Sequence, residues 1–383
     1  MFKTFSKIHL SIISFFLIKI SYLLKFFKLG NGSTLPGLLL QKLPLNYLSI
    51  YFKYFDSKYI FITGTNGKTS TTALLNQLLL ESGYTVLSNL TGSNLKRGIL
   101  SAFSLGFNSY KRHSPNFCVF EVDEASVPGI IESFPKDKVF SLLVLNLSRD
   151  QLDRYGEIDI LVDKINDSFK DFIKYNLFLK KDNYTANFNE PYFLANKDSG
   201  EFKKACVKLR LLTKDHLIEN FSFIFTLLKE LKVFVNYEKI TPFKQVPGRG
   251  NNYYFNGVKV NLNLTKNPAS FNINLKQLPV ESENILIYMN DNIPDGHDVS
   301  WFYDIDYELL KEALKGKNTY VAGSRSTDFF NLLNILGIPA FNYSNLNNTL
   351  LFCSSWGFKD LYILSNYSAT RHLVKEFAEN KNV

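Results

Sequence analysis

From residue 59 onward, short apolar runs alternate with longer stretches of helical spacing. Tyr59–Ile62, Thr85–Leu87, Phe117–Val122 and Phe140–Leu145 read as buried strands, being apolar runs of strand length bounded by turn residues. Thr69–Ser82 carries helical spacing, and Gly83 closes it as the left-handed residue beyond the last turn. This alternation predicts a parallel, doubly wound α/β sheet. Residues 176 to 210 are polar and irregular, and yield no clear element. Asp215–Leu231 returns to helical spacing, and the Pro/Gly stretch Pro242–Gly250 marks a domain boundary. A second αβ set follows, with strands at Ile285–Met289, Thr319–Ala322 and Leu361–Leu364. The expected organisation is an N-terminal helical segment and loop over 1–50, a central domain over 51–241 and a C-terminal α/β domain over 242–383.

The first 27 residues imitate a secretion signal, with Lys3 and Lys7 ahead of the apolar run Leu10–Ile18. No small-x-small cleavage site follows, and Lys19 and Lys25 interrupt what comes next. Nine uncharged residues fall short of the roughly 20 a membrane-crossing helix needs. The segment reads as a helix that packs on the body of the protein or lies on a membrane surface, with packing the first expectation.

Composition narrows the class. A chain of 383 residues with 45% hydrophobic and 21% charged positions is too apolar to be disordered and long enough for two or three domains. Aromatic content of 15% says as much about coding bias as about chemistry. Three cysteines, none in a C-x-x-C pair, exclude a disulfide scaffold and a four-thiolate zinc site, and fit a reduced compartment. The net charge of +9 comes without a zinc finger, an aromatic RNA-binding signature or a long basic block, so no nucleic-acid partner is expected.

Three motifs carry chemistry. Gly64-Thr65-Asn66-Gly67-Lys68-Thr69-Ser70 directly follows the first strand and opens the first αβ helix. A glycine-rich turn there lets backbone N–H groups face a phosphate chain, with the helix N-terminus adding partial positive charge. Lys68 would reach the β- and γ-phosphates of ATP, and the Thr69 hydroxyl would ligate Mg²⁺. Glu121-Val122-Asp123-Glu124 ends the strand Phe117–Val122, where open sheets bind ligands. Glu121 at that strand end is a hard oxygen donor suited to Mg²⁺, although three acids in a row can equally be a solvated strand end. Asn146-Leu147-Ser148-Arg149-Asp150-Gln151-Leu152-Asp153-Arg154-Tyr155 lies just past the next strand. It suits phosphate and substrate contacts, or a helix start with Ser148 as N-cap.

These residues resemble the Mur ligase family, ATP-dependent enzymes that couple carboxylates to amines. The loop is similar to that family's G-T-N-G-K-T-[ST], and Glu121 falls at its metal-binding glutamate. Asn146–Tyr155 resembles N-x-x-x-D-H-x-D-R-Y with Gln151 in place of histidine. Asn220 matches an asparagine that contacts adenine, and Arg249 in Pro247-Gly248-Arg249-Gly250 an arginine that reaches ATP. The last third resembles the MurT branch, the synthetase subunits of lipid II isoglutaminyl synthase. The resemblance rests on Lys266-Asn267-Pro268-Ala269, on the block Asn290–Asp304 with its D-G-x-D-V-S-W-x-x-D pattern, on Asn89–Gly98 and on Tyr367-Ser368-Ala369. MurT proteins carry a zinc ribbon of two C-x-x-C pairs in the middle domain. Here residues 176–214 hold only Cys206, so no structural zinc is expected.

The resemblance implies a Mur-ligase-like central P-loop ATPase domain with a parallel sheet, plus a C-terminal Rossmann-like α/β domain. It implies ATP-dependent amidation of the D-glutamate α-carboxylate of lipid II to D-isoglutamine through an acyl phosphate, with ATP and Mg²⁺. The ammonia must come from glutamine hydrolysis, which needs an activated thiolate. Cys118, Cys206 and Cys353 all read as structural, so a separate GatD-like glutaminase is the implied partner. Asp304 falls at the MurT catalytic aspartate, near the glutaminase histidine, with Asp295 and Asp298 as weaker candidates. Its plain alternative is an N-cap, since Ile305-Asp306-Tyr307-Glu308 opens a helical run. Trp301 reads as packing or interface. The expected location is cytoplasmic, with the inner membrane face, where lipid II resides, left open. Two rivals remain: a Mur-like ligase adding an amino acid, and a nucleotide-binding scaffold without turnover.

Overall fold

Strand β1 (Lys58–Thr63) alternates its side chains between two apolar layers, which makes it central to a sheet covered on both faces. Tyr59 and Phe61 enter one layer, and Ile60 and Ile62 the other. The computed structural model describes the chain except residues 1, 27–33, 91–92, 148–157, 173, 180–187, 189–191, 196, 198, 213–214, 256, 293–294, 296–298, 344–348 and 380–383. Side chains at 2–5, 24–25, 350–351 and 354 are also left undescribed. Within it the chain forms two units, 1–149 with 155–244, and 150–154 with 245–383.

In the first unit β1 pairs in parallel with β3 (Phe117–Glu121) and β4 (Phe140–Val144). With β2 (Val86–Ser88), β5 (Asn176–Leu179) and β6 (Phe193–Leu194) the sheet runs β2-β3-β1-β4-β5-β6, every neighbouring pair parallel. The layer holding Tyr59 and Phe61 is aromatic: Tyr51 stacks on Phe103 with ring centres 5.0 Å apart, and Phe52 meets Phe134 edge-on at 4.9 Å. The opposite layer mixes leucines with rings: Leu74, Leu75, Leu78 and Leu79 of the helix Lys68–Glu81 pack with Phe221, Ile224, Phe225 and Leu227 of Asp215–Glu230. The helix Lys68–Glu81 ends as its sequence predicts, with Gly83 at φ +85° donating back to the Leu80 carbonyl.

The stretch read as irregular supplies β5, β6 and the helix Gly200–Lys208, whose N-cap Ser199 accepts from the Phe202 N–H at 3.0 Å. Its strands are only four and two residues long, too short for a periodic signal; β4 offers β5 an edge, and β5 offers one to β6.

The second unit holds β7 (Arg249–Phe255), β8 (Val258–Leu264), β9 (Asn284–Tyr288), β10 (Asn318–Ala322), β11 (Phe341–Tyr343) and β12 (Asp360–Ser365), ordered β11-β10-β9-β12-β8-β7. All pairings are parallel except the β7–β8 hairpin, whose two strands lie outside those expected from the sequence. The two α/β sheets agree with the predicted fold class.

Candidate active site

The turn after β1 is shaped by two glycines whose φ values, +126° at Gly64 and +89° at Gly67, lie in the region L side chains avoid. Both are also crowded. A Cβ on Gly64 would stand 2.8 Å from the Asn146 carbonyl oxygen, and one on Gly67 2.7 Å from Nδ2 of Asn220. Asn220, from the helix Asp215–Glu230, thus lies directly against the loop. Asn146 clamps the loop from the other side. Its Oδ1 accepts from the Asn66 N–H and its Nδ2 donates to the Asn66 carbonyl, each at 2.9 Å, and its own carbonyl accepts from the Thr65 N–H at 2.9 Å. The loop is therefore pre-set by neighbouring side chains.

Lys68, Thr69 and Ser70 form the first turn of the following helix. Gly67 offers no side-chain cap and that turn holds no carboxylate of its own, which leaves its positive end suited to an anion. Lys68 is buried; its Nζ donates to the Gly64 carbonyl and to Oε2 of Glu124, the latter at 3.1 Å. Burial alone would lower the ammonium pKa. The carboxylates of Glu124, Glu121 and Asp123 outweigh it, so the pKa rises above the ordinary lysine value and the charge is kept.

Glu121 ends β3, and its backbone is held by Asn89, whose Oδ1 accepts from the Glu121 N–H at 2.9 Å while Nδ2 donates to its carbonyl at 2.8 Å. Asp123 follows, its N–H donating to the Asn94 carbonyl at 2.8 Å. Asn89 and Asn94 therefore fix the acidic strand end. Glu124, the buried partner of Lys68, is the residue the sequence reading passed over. It stood in the quoted acidic string, but only the turn Glu124–Ser126 after the strand swings it toward the lysine.

The donors suit a Mg–nucleotide complex: Thr69 and Glu121 offer hard oxygen donors that could hold Mg²⁺, and the loop amides, helix end and Lys68 suit phosphate. Among the described residues no group of three or more His, Cys, Asp or Glu could hold a metal by itself. Mg²⁺ shared between one or two protein oxygens and phosphate needs no such group. The motif residues 148–157, including Gln151, lie outside the described residues.

In the second unit, Asn290 and Asp291 stitch three strand ends together. Asn290 and Asn366 exchange backbone-to-side-chain bonds at 3.2 and 2.6 Å, and Asp291 accepts from Ser324 Oγ at 2.7 Å and pairs with Arg325 at 3.1 Å. Asp295 accepts from the Ser368 N–H at 2.7 Å and from its hydroxyl, at the start of the helix Tyr367–Glu379. Burial raises the Asp295 pKa, and the Ser368 hydrogen bonds only partly offset it. Asp298 lies outside the described residues. Asp304 ends the turn Ser300–Asp304 and is exposed, and among the described residues nothing pairs with its carboxylate. The N-cap alternative belongs to Asp306, whose Oδ1 accepts from the Leu309 N–H at 3.0 Å. Trp301 packs edge-on against Phe302 and tilts toward Phe271. Asn267 of the Lys266–Ala269 motif forms a capping box with Ser270. Arg249 opens β7, half-buried.

All three thiols are buried. Desolvation pushes Cys118 and Cys353 up to about 12 and Cys206 to about 11, so none is a thiolate at neutral pH.

Residues 62–204 match the Mur ligase middle domain and residues 264–370 the MurT ligase C-terminal domain. Among solved structures, MurF from Acinetobacter baumannii is similar with a TM-score of 0.62 at 14% identity, covering 87% of this chain and 78% of that one. MurF from Thermotoga maritima in complex with ADP gives 0.60 at 15%, covering 87% and 82%. The solved structures share the fold, and the nucleotide loop, the acidic strand end and the Mur ligase middle-domain match support an ATP-dependent ligase of the Mur type. A Staphylococcus aureus protein named lipid II isoglutaminyl synthase (glutamine-hydrolyzing) subunit MurT is 28% identical over 354 residues, 74% of this chain and 78% of that protein. One of the same name from Streptococcus pneumoniae is 25% identical over 416 residues, covering 89% and 91%. These likenesses support an ATP-dependent ligase of peptidoglycan synthesis, similar over most of its length to proteins named MurT subunit.

Proposed function

We propose that this chain amidates the D-glutamate α-carboxylate of lipid II, giving D-isoglutamine, with ammonia delivered by a GatD-like glutaminase. A carboxylate oxygen attacks the γ-phosphorus of ATP and ADP leaves. Ammonia then attacks the acyl carbon, phosphate departs, and the nitrogen gives up a proton. Mg²⁺, when bound between Thr69, Glu121 and the phosphates, would neutralise charge on the transferring group. Lys68 would hold the β- and γ-oxygens, and the clamped loop would keep its amides aimed at them without reorganising during transfer. Gly64 to Ser70 would carry the phosphates, and Asn220 would contact the rest of the nucleotide. Asp304 would act on the partner rather than on ATP, orienting the glutaminase's histidine as the third member of a triad does.

One observation carries the reading: a pre-set phosphate loop stands in a chain whose three thiols are all buried and protonated. Such a loop suits activation of a carboxylate, and buried thiols are poorly suited to hydrolyse glutamine, which supports a separate source of ammonia. The test supplies ATP, Mg²⁺ and lipid II at high ammonium and mildly alkaline pH, following ADP release and the mass of the muropeptide. Amidation with ammonium, and with glutamine only once a glutaminase is added, supports it. ADP release only with an added amino acid would mean a peptide ligase, and nucleotide binding without turnover under both conditions a scaffold.

A further inference from the structure

The N-terminal helix Phe2–Phe26 turns its less apolar side inward. Ser6, Leu10, Ser14, Leu17 and Ser21, spaced by three or four residues, form one buried stripe, three of the five being serine. Leu10 and Leu17 join the aromatic layer of the first unit. His9 bonds the Tyr47 hydroxyl at 3.0 Å and Ser14 meets that of Tyr51 at 3.4 Å. The opposite side carries Ile8, Ile12, Phe15, Phe16, Leu23 and Phe26, from 49% to 80% exposed. Since one turn takes 3.6 residues, these fall about half a turn from the buried stripe. An amphipathic helix of a self-contained protein has the reverse arrangement.

Charge says what covers this face. The first 55 residues hold seven lysines and no aspartate or glutamate, so seven of the nine net positive charges of the chain lie in this segment. Lys7, Lys19, Lys42 and Lys53 are exposed, and Lys19 sits 4.6 Å above the ring of Phe15. A second copy of the helix would set lysines against lysines. A membrane-crossing path would strip the buried stripe from its protein contacts. An anionic bilayer surface answers both features, taking the apolar side chains at the acyl boundary and the lysines at the headgroups.

We propose that Phe2–Phe26 docks the protein flat on an anionic lipid surface while its serine-rich stripe stays bound to the first unit. The proposal holds whichever reaction the nucleotide site supports. The test floats the full chain on vesicles of phosphatidylglycerol with phosphatidylcholine, and on phosphatidylcholine alone. The chain should float with the anionic vesicles and much less with the neutral ones. Phe15→Gln with Phe16→Gln should abolish flotation without moving the thermal midpoint or nucleotide affinity. Lys7→Gln with Lys19→Gln should weaken it roughly thirtyfold, and raised salt should weaken it in the same direction. Failure of the wild-type chain to float, or flotation unchanged in both double variants, overturns the proposal. So does a dimer held by this face without lipid binding, seen by ultracentrifugation.

Discussion

Lys68 and Glu124 form an ion pair of 3.1 Å with both side chains almost wholly buried, in a site where Glu121 and Asp123 add further negative charge. Removing the cation therefore has two separable effects. Lys68→Met should destabilise the fold by about 3 kcal/mol, because a buried carboxylate loses its partner. The same change should cut turnover roughly 10²–10³-fold, through lost stabilisation of the transferring phosphoryl group. Adding Glu124→Gln should restore most of the stability and none of the turnover. Chemical denaturation and ADP release on the single and double variants check both.

The clamp between Asn146 and Asn66 makes a second case. Asn146→Asp keeps the size and one acceptor, but turns the donor at the Asn66 carbonyl into an oxygen and adds negative charge beside the phosphate site. ATP affinity should fall about tenfold or more, each tenfold being 1.4 kcal/mol. Asn146→Ala should lose less, since nothing then repels. Titration calorimetry with ATP distinguishes them.

Asp304 and Asp306 divide the roles that the sequence left joined. Asp306→Ala should cost about 1 kcal/mol of stability, as loss of an N-cap does, with amidation unchanged. Asp304→Asn should leave the thermal midpoint and the ammonium-dependent reaction intact, and reduce only the glutamine-dependent reaction of the complex. A loss with ammonium as well would move Asp304 into the ligase site.

The buried thiols give a pH signature. Cys118, raised from 9.0 to about 12, binds its proton more tightly folded than unfolded. Its contribution is complete below about pH 9 and is lost as pH rises toward 12. The wild-type thermal midpoint should thus fall over that window more than that of Cys118→Ala. At pH 8 a thiol reagent should find no reactive cysteine until denaturant is added.

What was legible in the sequence follows from where its signals are local. The strand Tyr59–Ile62 and the loop after it combine a continuous apolar run with two glycines at fixed offsets, and both stand where expected. Asn220 pairs with the loop across more than 150 residues, a distance only the family resemblance could bridge. The pairing of Lys68 with Glu124 depends on a three-residue turn after a strand, which leaves no periodic trace. Strand β5 is visible only beside β4, and β6 only beside β5, since their order comes from pairing rather than propensity. The cap at Asp306 is a matter of two residues, within the usual uncertainty of a helix boundary read from sequence.

The central claim is that ATP activates a carboxylate at the Lys68 loop. The most direct measurement gives the chain lipid II labelled with oxygen-18 in the D-glutamate α-carboxylate, together with ATP, Mg²⁺ and ammonium, and analyses the phosphate released. An acyl phosphate hands a carboxylate oxygen to phosphorus, so labelled phosphate should accumulate in step with the amide and vanish in Lys68→Met. Amide formed with unlabelled phosphate would contradict the account.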